Sequence, residues 1–273
     1  MKISLAPIAL RPYRASTPDK PYYKNDISNM LRNVKKAGFD GIEMGTPSGY
    51  THQEFRDLLD ETGLACVSAS GLARLDSSNL MDFKRVIEGC HILGANNIMI
   101  GRIPPEARGH DAEINKFIAT LNYAGKILME EGGIHLSFHN HAIDFFKVAG
   151  RPVFQRIIED TDPRYVFIEP DTHWLQAGGA HVITWLKKLK GRMAVVHFKD
   201  YAIDPYSDYT YLECTHKLFA EIGQGNLNWP GIVAELLDQG IEWVSCEQDV
   251  VYKPPFEAIA ISAQYLRSLG IGA

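Results

Sequence analysis

Short apolar runs alternate with longer amphipathic ones along the whole chain. Lys2 to Leu5, Phe39 to Met44, Leu64 to Ala69, Ala95 to Gly101, Ile134 to Phe138, Tyr165 to Glu169, Met193 to Phe198 and Glu242 to Cys246 are too short for helices. Their near-continuous apolar character is that of strands buried on both faces. Between them the apolar residues recur at helical spacing. Ile27, Met30, Leu31 and Val34 predict a helix over Ile27 to Ala37, stopped by Gly38. Further helices are expected over His52 to Thr62, Asp76 to Leu93, Ala112 to Glu131, Pro152 to Asp160, Ala180 to Leu189, Trp229 to Gln239 and Phe256 to Leu269. Most end at a glycine, and two begin with a proline in the first turn. Strand and helix alternating eight times predict an α/β fold, a single (β/α)8 barrel spanning 1–273 as one domain. Two connections are long, Arg102 to Asp111 and Tyr201 to Asn228. Both fall on the expected active face, where long loops act as lids or subunit contacts.

Four of the strands stop abruptly in polar residues. Ile134 to Phe138 runs into His139-Asn140-His141, and Tyr165 to Ile168 into Glu169-Pro170-Asp171. Val195-Val196 runs into His197-Phe198-Lys199-Asp200, and Trp243 to Cys246 into Glu247-Gln248-Asp249. A (β/α)8 barrel builds its active site at the C-terminal ends of its strands. Singly, each residue has an ordinary explanation: a polar core histidine, or an aspartate capping a helix. Four on consecutive strand ends point instead to a metal-ligand set of His139, Asp171, His197 and Glu247. Two imidazoles and two carboxylates suit Mn, Co, Zn or Fe, and Mg less well.

Strand alternation extends the list. His139 and His141 share a side, so one can bind metal while the other acts as base or touches substrate. Glu169 stands in the same relation to Asp171, either orienting a ligand or pairing with Lys or Arg. Glu43, ending the second strand, is a candidate for a substrate hydroxyl or for acid/base work. Lys199 is a candidate to stabilise an oxyanion, and Trp174 and Phe138 to wall a sugar. The Ile222-Gly223-Gln224-Gly225-Asn226 turn does not follow a strand, so it is too weak a signal for a nucleotide site.

The 273 residues are 45% hydrophobic with a formal net charge of −5. That balance gives no general attraction to nucleic acid or to an anionic membrane. Cys66, Cys90, Cys214 and Cys246 show no paired spacing and read as free thiols of a reducing compartment. The N-terminal apolar run is too short for a secretory signal, and no run reaches the length of a membrane span. A soluble, cytoplasmic protein is expected.

Several segments resemble the sugar phosphate isomerase/epimerase family of xylose-isomerase-like TIM barrels, across essentially the whole chain. They are Gly38-Phe39-Asp40-Gly41-Ile42-Glu43, Phe138-His139-Asn140-His141, Glu169-Pro170-Asp171-Thr172-His173-Trp174, Val196-His197-Phe198-Lys199-Asp200, Ile222-Gly223-Gln224-Gly225-Asn226 and Glu247-Gln248-Asp249. That family includes ketose 3-epimerases, inosose dehydratases and isomerases, hydroxypyruvate isomerases and the catalytic subunits of C-glycoside deglycosidases. In the ketose 3-epimerases the ligands are Glu, Asp, His and Glu from the last four strands. Asp171, His197 and Glu247 match three of these, and His139 replaces the first carboxylate. The epimerases use two Glu residues on opposite faces of the sugar, so the His-Asn-His variant looks more like the subgroup acting on oxidised sugars, cyclitols and 3-oxo-glycosides.

The resemblance implies an enzyme that needs a divalent metal, manganese first, and removes a proton next to the carbonyl of a keto sugar or cyclitol. The base is His141, His139 or Glu247, with His139 at the family's ligand position. Isomerisation or epimerisation follows, or the same first step leads to elimination from a 3-oxo-glycoside or an inosose. The implied partners are a small sugar or glycoside and further copies of the chain, with or without a small accessory subunit. An AP-endonuclease-like nuclease would need a basic groove that the charge does not supply. A non-catalytic sugar-binding subunit would not need the full ligand set.

Overall fold

The computed structural model describes residues 1–10, 24–69, 75, 82–204 and 217–272. Eight parallel strands, β1 (Lys2–Leu5), β2 (Gly41–Glu43), β3 (Ala65–Ser68), β4 (Asn97–Ile100), β5 (His135–His139), β6 (Val166–Glu169), β7 (Val195–Phe198) and β8 (Trp243–Cys246), run round a barrel. The order β3-β2-β1-β8-β7 is continuous, as is β4-β5-β6. The two arcs meet where Ala69 N donates to Asn97 O at 3.0 Å, and where Asp171 bridges His197 in parallel register. Helices α1 (Lys24–Lys36), α2 (His52–Thr62), α3 (Phe83–Leu93), α4 (Asp111–Gly132), α5 (Val153–Asp160), α6 (Thr172–Ala177), α7 (Val182–Lys188), α8 (Trp229–Asp238) and α9 (Pro255–Ser268) follow the strands in turn.

Helix boundaries trace to local chemistry. Thr51 and Glu54 form a capping box at the start of α2, and Gly63 closes it in the left-handed region at φ 65°. The apolar stripe of α1, Ile27, Met30, Leu31 and Val34, is fully buried. Each such side chain contributes roughly 1.5–3 kcal/mol. The helix expected from Asp76 begins, among described residues, at Phe83, with Asp82 as its N-cap; 76–81 lie outside the described residues. Helix α6 is not expected from the sequence, since six residues are too few to show a helical period.

Alternation along the strands separates two faces. Ile3, Ile42, Ile98, Leu136, Ile168, Val196 and Val244 are fully buried on the face toward the helices. The opposite face carries Ser4, Asn97, Ser137, Glu169, His197 and Ser245, also buried. Asn97 Nδ2 on β4 donates to Glu169 Oε2 on β6 at 2.9 Å, and Ser137 Oγ donates to Asn97 Oδ1 at 2.6 Å. Strands β4 and β6 are not neighbours, so this network crosses the barrel interior. Cys66, Cys90 and Cys246 are buried free thiols, and Cys214 lies outside the described residues.

The long stretch after β7 opens as an antiparallel ladder, Asp200–Ile203 against Lys217–Ala220. Residues 205–216, the middle of the expected lid or subunit contact, lie outside the described residues. The Gly-rich turn beyond it wraps a carboxylate instead of a phosphate. Gly223 N, Gly225 N and Leu227 N donate to the buried Asp200 carboxylate at 3.1, 3.1 and 3.3 Å, and Trp229 Nε1 donates at 2.6 Å. A Cβ at Gly225 would lie 2.3 Å from Asp200 Oδ1, which leaves no room for a side chain there. With the Tyr201 N–H at 2.8 Å the carboxylate accepts five N–H groups, and Asp200→Asn turns that acceptor into a partial donor. It should lower unfolding stability by about 2 kcal/mol, read by urea denaturation. An unchanged midpoint would show that the turn holds itself together.

Candidate metal centre

Strand ends β5, β7 and β8 and the start of α6 bring His139, Asp171, His197 and Glu247 together, with one ligand atom of each within 4.8 Å of the others. Asp171 reconciles its two expected roles by using one oxygen for each. Oδ1 accepts the Trp174 N–H at 2.8 Å and caps α6. Oδ2 faces His139 Nε2 at 3.6 Å. Asn140 Oδ1 accepts the Asp171 N–H at 3.1 Å and fixes the backbone there.

His197 is held from both sides. Nδ1 lies 2.7 Å from Glu247 Oε2, while Nε2 lies 2.8 Å from both Glu43 Oε2 and Glu169 Oε1. Burial alone would lower this imidazole's pKa. The carboxylates of Glu43, Glu169 and Glu247 outweigh burial and raise it well above the ordinary value. Burial, then the nearby Glu43 charge, pushes Glu169 up to about 7. Burial also opposes ionisation of Glu43, but His197 outweighs it and holds that carboxyl below its usual range. Glu247 is held well below that range against the same burial, by its bond to His197 and by the Lys199 charge.

The donor set fits a divalent ion. Ligand atoms about 2.0–2.2 Å from one ion stand roughly 3–3.6 Å apart. His139 Nε2 is 3.6 Å from Asp171 Oδ2 and 3.8 Å from Glu247 Oε2. Both His139 nitrogens and Asp171 Oδ2 are buried without a hydrogen-bond partner. Buried acceptors left unpaired are costly, and an ion at their focus would satisfy them. His139 Nδ1 points toward Gly101, so Nε2 is the nitrogen turned to the cluster. His141 stands outside it, its ring centroid 4.9 Å from that of His139. Burial, then the His139 charge, lowers the His141 pKa to about 4, so it is neutral at pH 7.

Three side chains expected at a substrate are placed otherwise. Lys199 is fully buried, with Nζ 2.6 Å from Asp249 and 3.3 Å from Glu247, beneath the Trp174 ring. The carboxylates outweigh the burial that would lower its pKa and raise it. It anchors Glu247 in place of facing a ligand. Trp174 packs its ring against His141 at 5.6 Å and Phe219 at 6.0 Å and is not among the residues bordering the cavity over the cluster. Phe138 packs among Phe117 and Phe154, because strand alternation faces it opposite to His139.

Glu43 borders the cavity, but its carboxylate is turned onto His197 Nε2. The sequence offers it a substrate hydroxyl or acid/base work; the structure gives it His197 as partner. Glu43→Gln should weaken metal binding ~10–100-fold, as loss of a carboxylate that orients a ligating histidine does. Metal titration reads this; unchanged metal affinity with a raised KM would return Glu43 to the substrate.

A cavity of about 310 Å³ opens over the cluster, bordered by His139, His141, His197, Glu43, Glu247 and Asp249, and by Ala6, Pro7, Ile8, Met99, Gly101 and Arg102. Sequence reasoning missed Asn140, Asp249, Asn97 and Arg102 as contributors. Asn140 and Asp249 stand inside quoted strand-end motifs. Asn97 opens a strand and acts across the barrel, where spacing gives no signal.

The model of the xylose isomerase-like TIM barrel matches residues 31–269. The chain belongs to that family. Over 300 residues this barrel is 26% identical to the inosose dehydratase of Mesomycoplasma hyopneumoniae strain J, covering 98% of this chain and 96% of that one. A solved sugar phosphate isomerase/epimerase from Parabacteroides distasonis superimposes with a TM-score of 0.77 at 20% identity, over 98% of this chain and 94% of the other. The IOLI protein, solved with a zinc atom bound, superimposes with a TM-score of 0.70 at 17% identity, over 98% of each chain. Among the described residues of this family member, no helix is long and apolar enough to cross a membrane.

Proposed function

We propose that this family member is a divalent-metal-dependent enzyme that removes the proton next to the carbonyl of a keto sugar or cyclitol. The observation that carries this reading is the convergence of His139, Asp171, His197 and Glu247, three of which, His139, His197 and Glu247, border a cavity. Those four residues would hold the ion, which would act as a Lewis acid, drawing charge from the substrate's carbonyl and adjacent hydroxyl oxygens and so acidifying the C–H between them.

The protein's own groups divide the remaining work. His141 borders the cavity without joining the ligand cluster, and a neutral imidazole can accept the substrate proton at a ring nitrogen. Glu247 is the rival base, but His197 and Lys199 hold both of its oxygens and reduce its proton affinity. Asp249 and Glu43 act through Lys199 and His197, keeping the floor of the site fixed.

Elimination is favoured over epimerisation as the outcome. The first ligand position holds His139, so the second carboxylate that would return a proton to the opposite face is missing. The likeness to an inosose dehydratase, spanning nearly the full length of both chains, points the same way. Incubation of the manganese-loaded protein with scyllo-inosose should give a product lighter by one water, seen by mass spectrometry. A product of unchanged mass but altered stereochemistry would move the assignment to epimerisation. No product from inosose or from a panel of keto sugars would remove the reading.

A further inference from the structure

We propose that Arg102 and Arg108 form an anion subsite, so that the substrate carries a carboxylate or phosphate group remote from its reacting carbons. This deepens the proton-abstraction reading above and rests on it. A second space of about 200 Å³ shares Gly101, Arg102 and His141 as border with the cavity over the metal centre. Arg108, Ile103, Ile143 and Asp144 also border that second space.

Among the described residues bordering the first cavity, Arg102 is the sole lysine or arginine, and it reaches both spaces. Six other described arginines are tied down, Arg56 to Asp60, Arg151 to Glu159, Arg156 to Asp111, Arg164 to Asp162, Arg192 to main-chain carbonyls and Arg267 to Asp40, whereas Arg85 is exposed on helix α3, away from either space. Among the described residues, none holds the Arg102 or Arg108 side chain by a hydrogen bond or ion pair. Asp144 is the nearby carboxylate. Its Oδ2 accepts the His141 N–H at 2.7 Å, and it acts on Arg108 only through its field.

The loop that carries both arginines is anchored. Ile103, ahead of the short 3-10 turn Pro105–Ala107, and Ala107, within it, are buried at 1% and 2% exposure. The anchored loop leaves only the rotamer freedom of the exposed Arg102 and Arg108 side chains to be lost on binding, and the planar fork matches carboxylate and phosphate oxygens in bidentate fashion. His141 lies at the junction, which places the proposed base between the anchored group and the reacting carbon.

The test compares solvent-deuterium exchange by the manganese-loaded protein on three probes: neutral scyllo-inosose, 5-keto-D-gluconate as carboxylate and D-fructose 6-phosphate as phosphate. The expected result is that one anionic probe has the higher kcat/KM, and which one names the group. In Arg102→Gln/Arg108→Gln the anionic-to-neutral ratio should fall by at least ~10-fold, chiefly through KM. Arg102→Lys should fall in between, since charge remains and the fork is lost. A preference for inosose, or a ratio unchanged in the double variant, would overturn the subsite while leaving the proton-abstraction reading intact. If no probe exchanges, that reading fails on its own, and calorimetric titration with inorganic phosphate decides the subsite. Phosphate bound by the metal would bind both proteins alike. Binding at least ~10-fold weaker in the double variant supports the subsite, and equal binding overturns it.

Discussion

His197→Ala will strip the protein of metal and of activity together. The imidazole sits at the centre of two carboxylate groupings, Glu247 on Nδ1 and Glu43 with Glu169 on Nε2. Its removal takes away one ligand and the group that neutralises three buried carboxylates at once. Uncompensated buried charges are expensive, so the remaining ligands will shift or take up protons. Metal content should drop from about one ion per chain toward zero. Because a Lewis-acidic ion is worth several kcal/mol at the transition state, kcat/KM should fall by at least ~10³-fold. Metal analysis after gel filtration, beside circular dichroism to confirm folding, checks this. A folded variant that keeps its metal would place the ion elsewhere.

His141→Ala will separate catalysis from metal binding. His141 borders the cavity but lies outside the ligand cluster, whereas His139 Nε2 points into it. The variant should retain its ion and lose at least ~10²-fold in rate, the lower end of what a general base contributes. Added imidazole should restore part of the rate, which a purely structural role would not allow. The companion His139→Ala should lose metal and rate together. If His139→Ala retains full metal while exchange vanishes, the two histidines trade roles. If His141→Ala exchanges normally, Glu247 becomes the base.

The barrel was legible in the sequence because each strand is an apolar run and each helix carries a stripe, as in Ile27, Met30, Leu31 and Val34. The His52 to Thr62 helix could be read to the residue, since Thr51 and Gly63 cap both its ends. The strand-end ligands could be read because a barrel delivers consecutive strand ends to one face. What could not be read was direction. Lys199 shares a face with His197, yet nothing in the spacing shows that Asp249 and Glu247 take its ammonium. Glu43 ends a strand, yet its approach to His197 from across the barrel interior is a property of closure and curvature. The Gly-rich turn, too weak a signal for a nucleotide site, wraps an internal anion, the Asp200 carboxylate, which its spacing does not show.

The most direct test of the central claim is solvent exchange at carbon. The manganese-loaded protein, incubated in heavy water with scyllo-inosose and a panel of keto sugars, is followed by proton NMR at the position next to the carbonyl. The account predicts deuterium entry at that carbon, abolished by a chelator and restored by added manganese. Undiminished exchange after complete metal removal, or no exchange with any keto compound by the metal-replete protein, would contradict it.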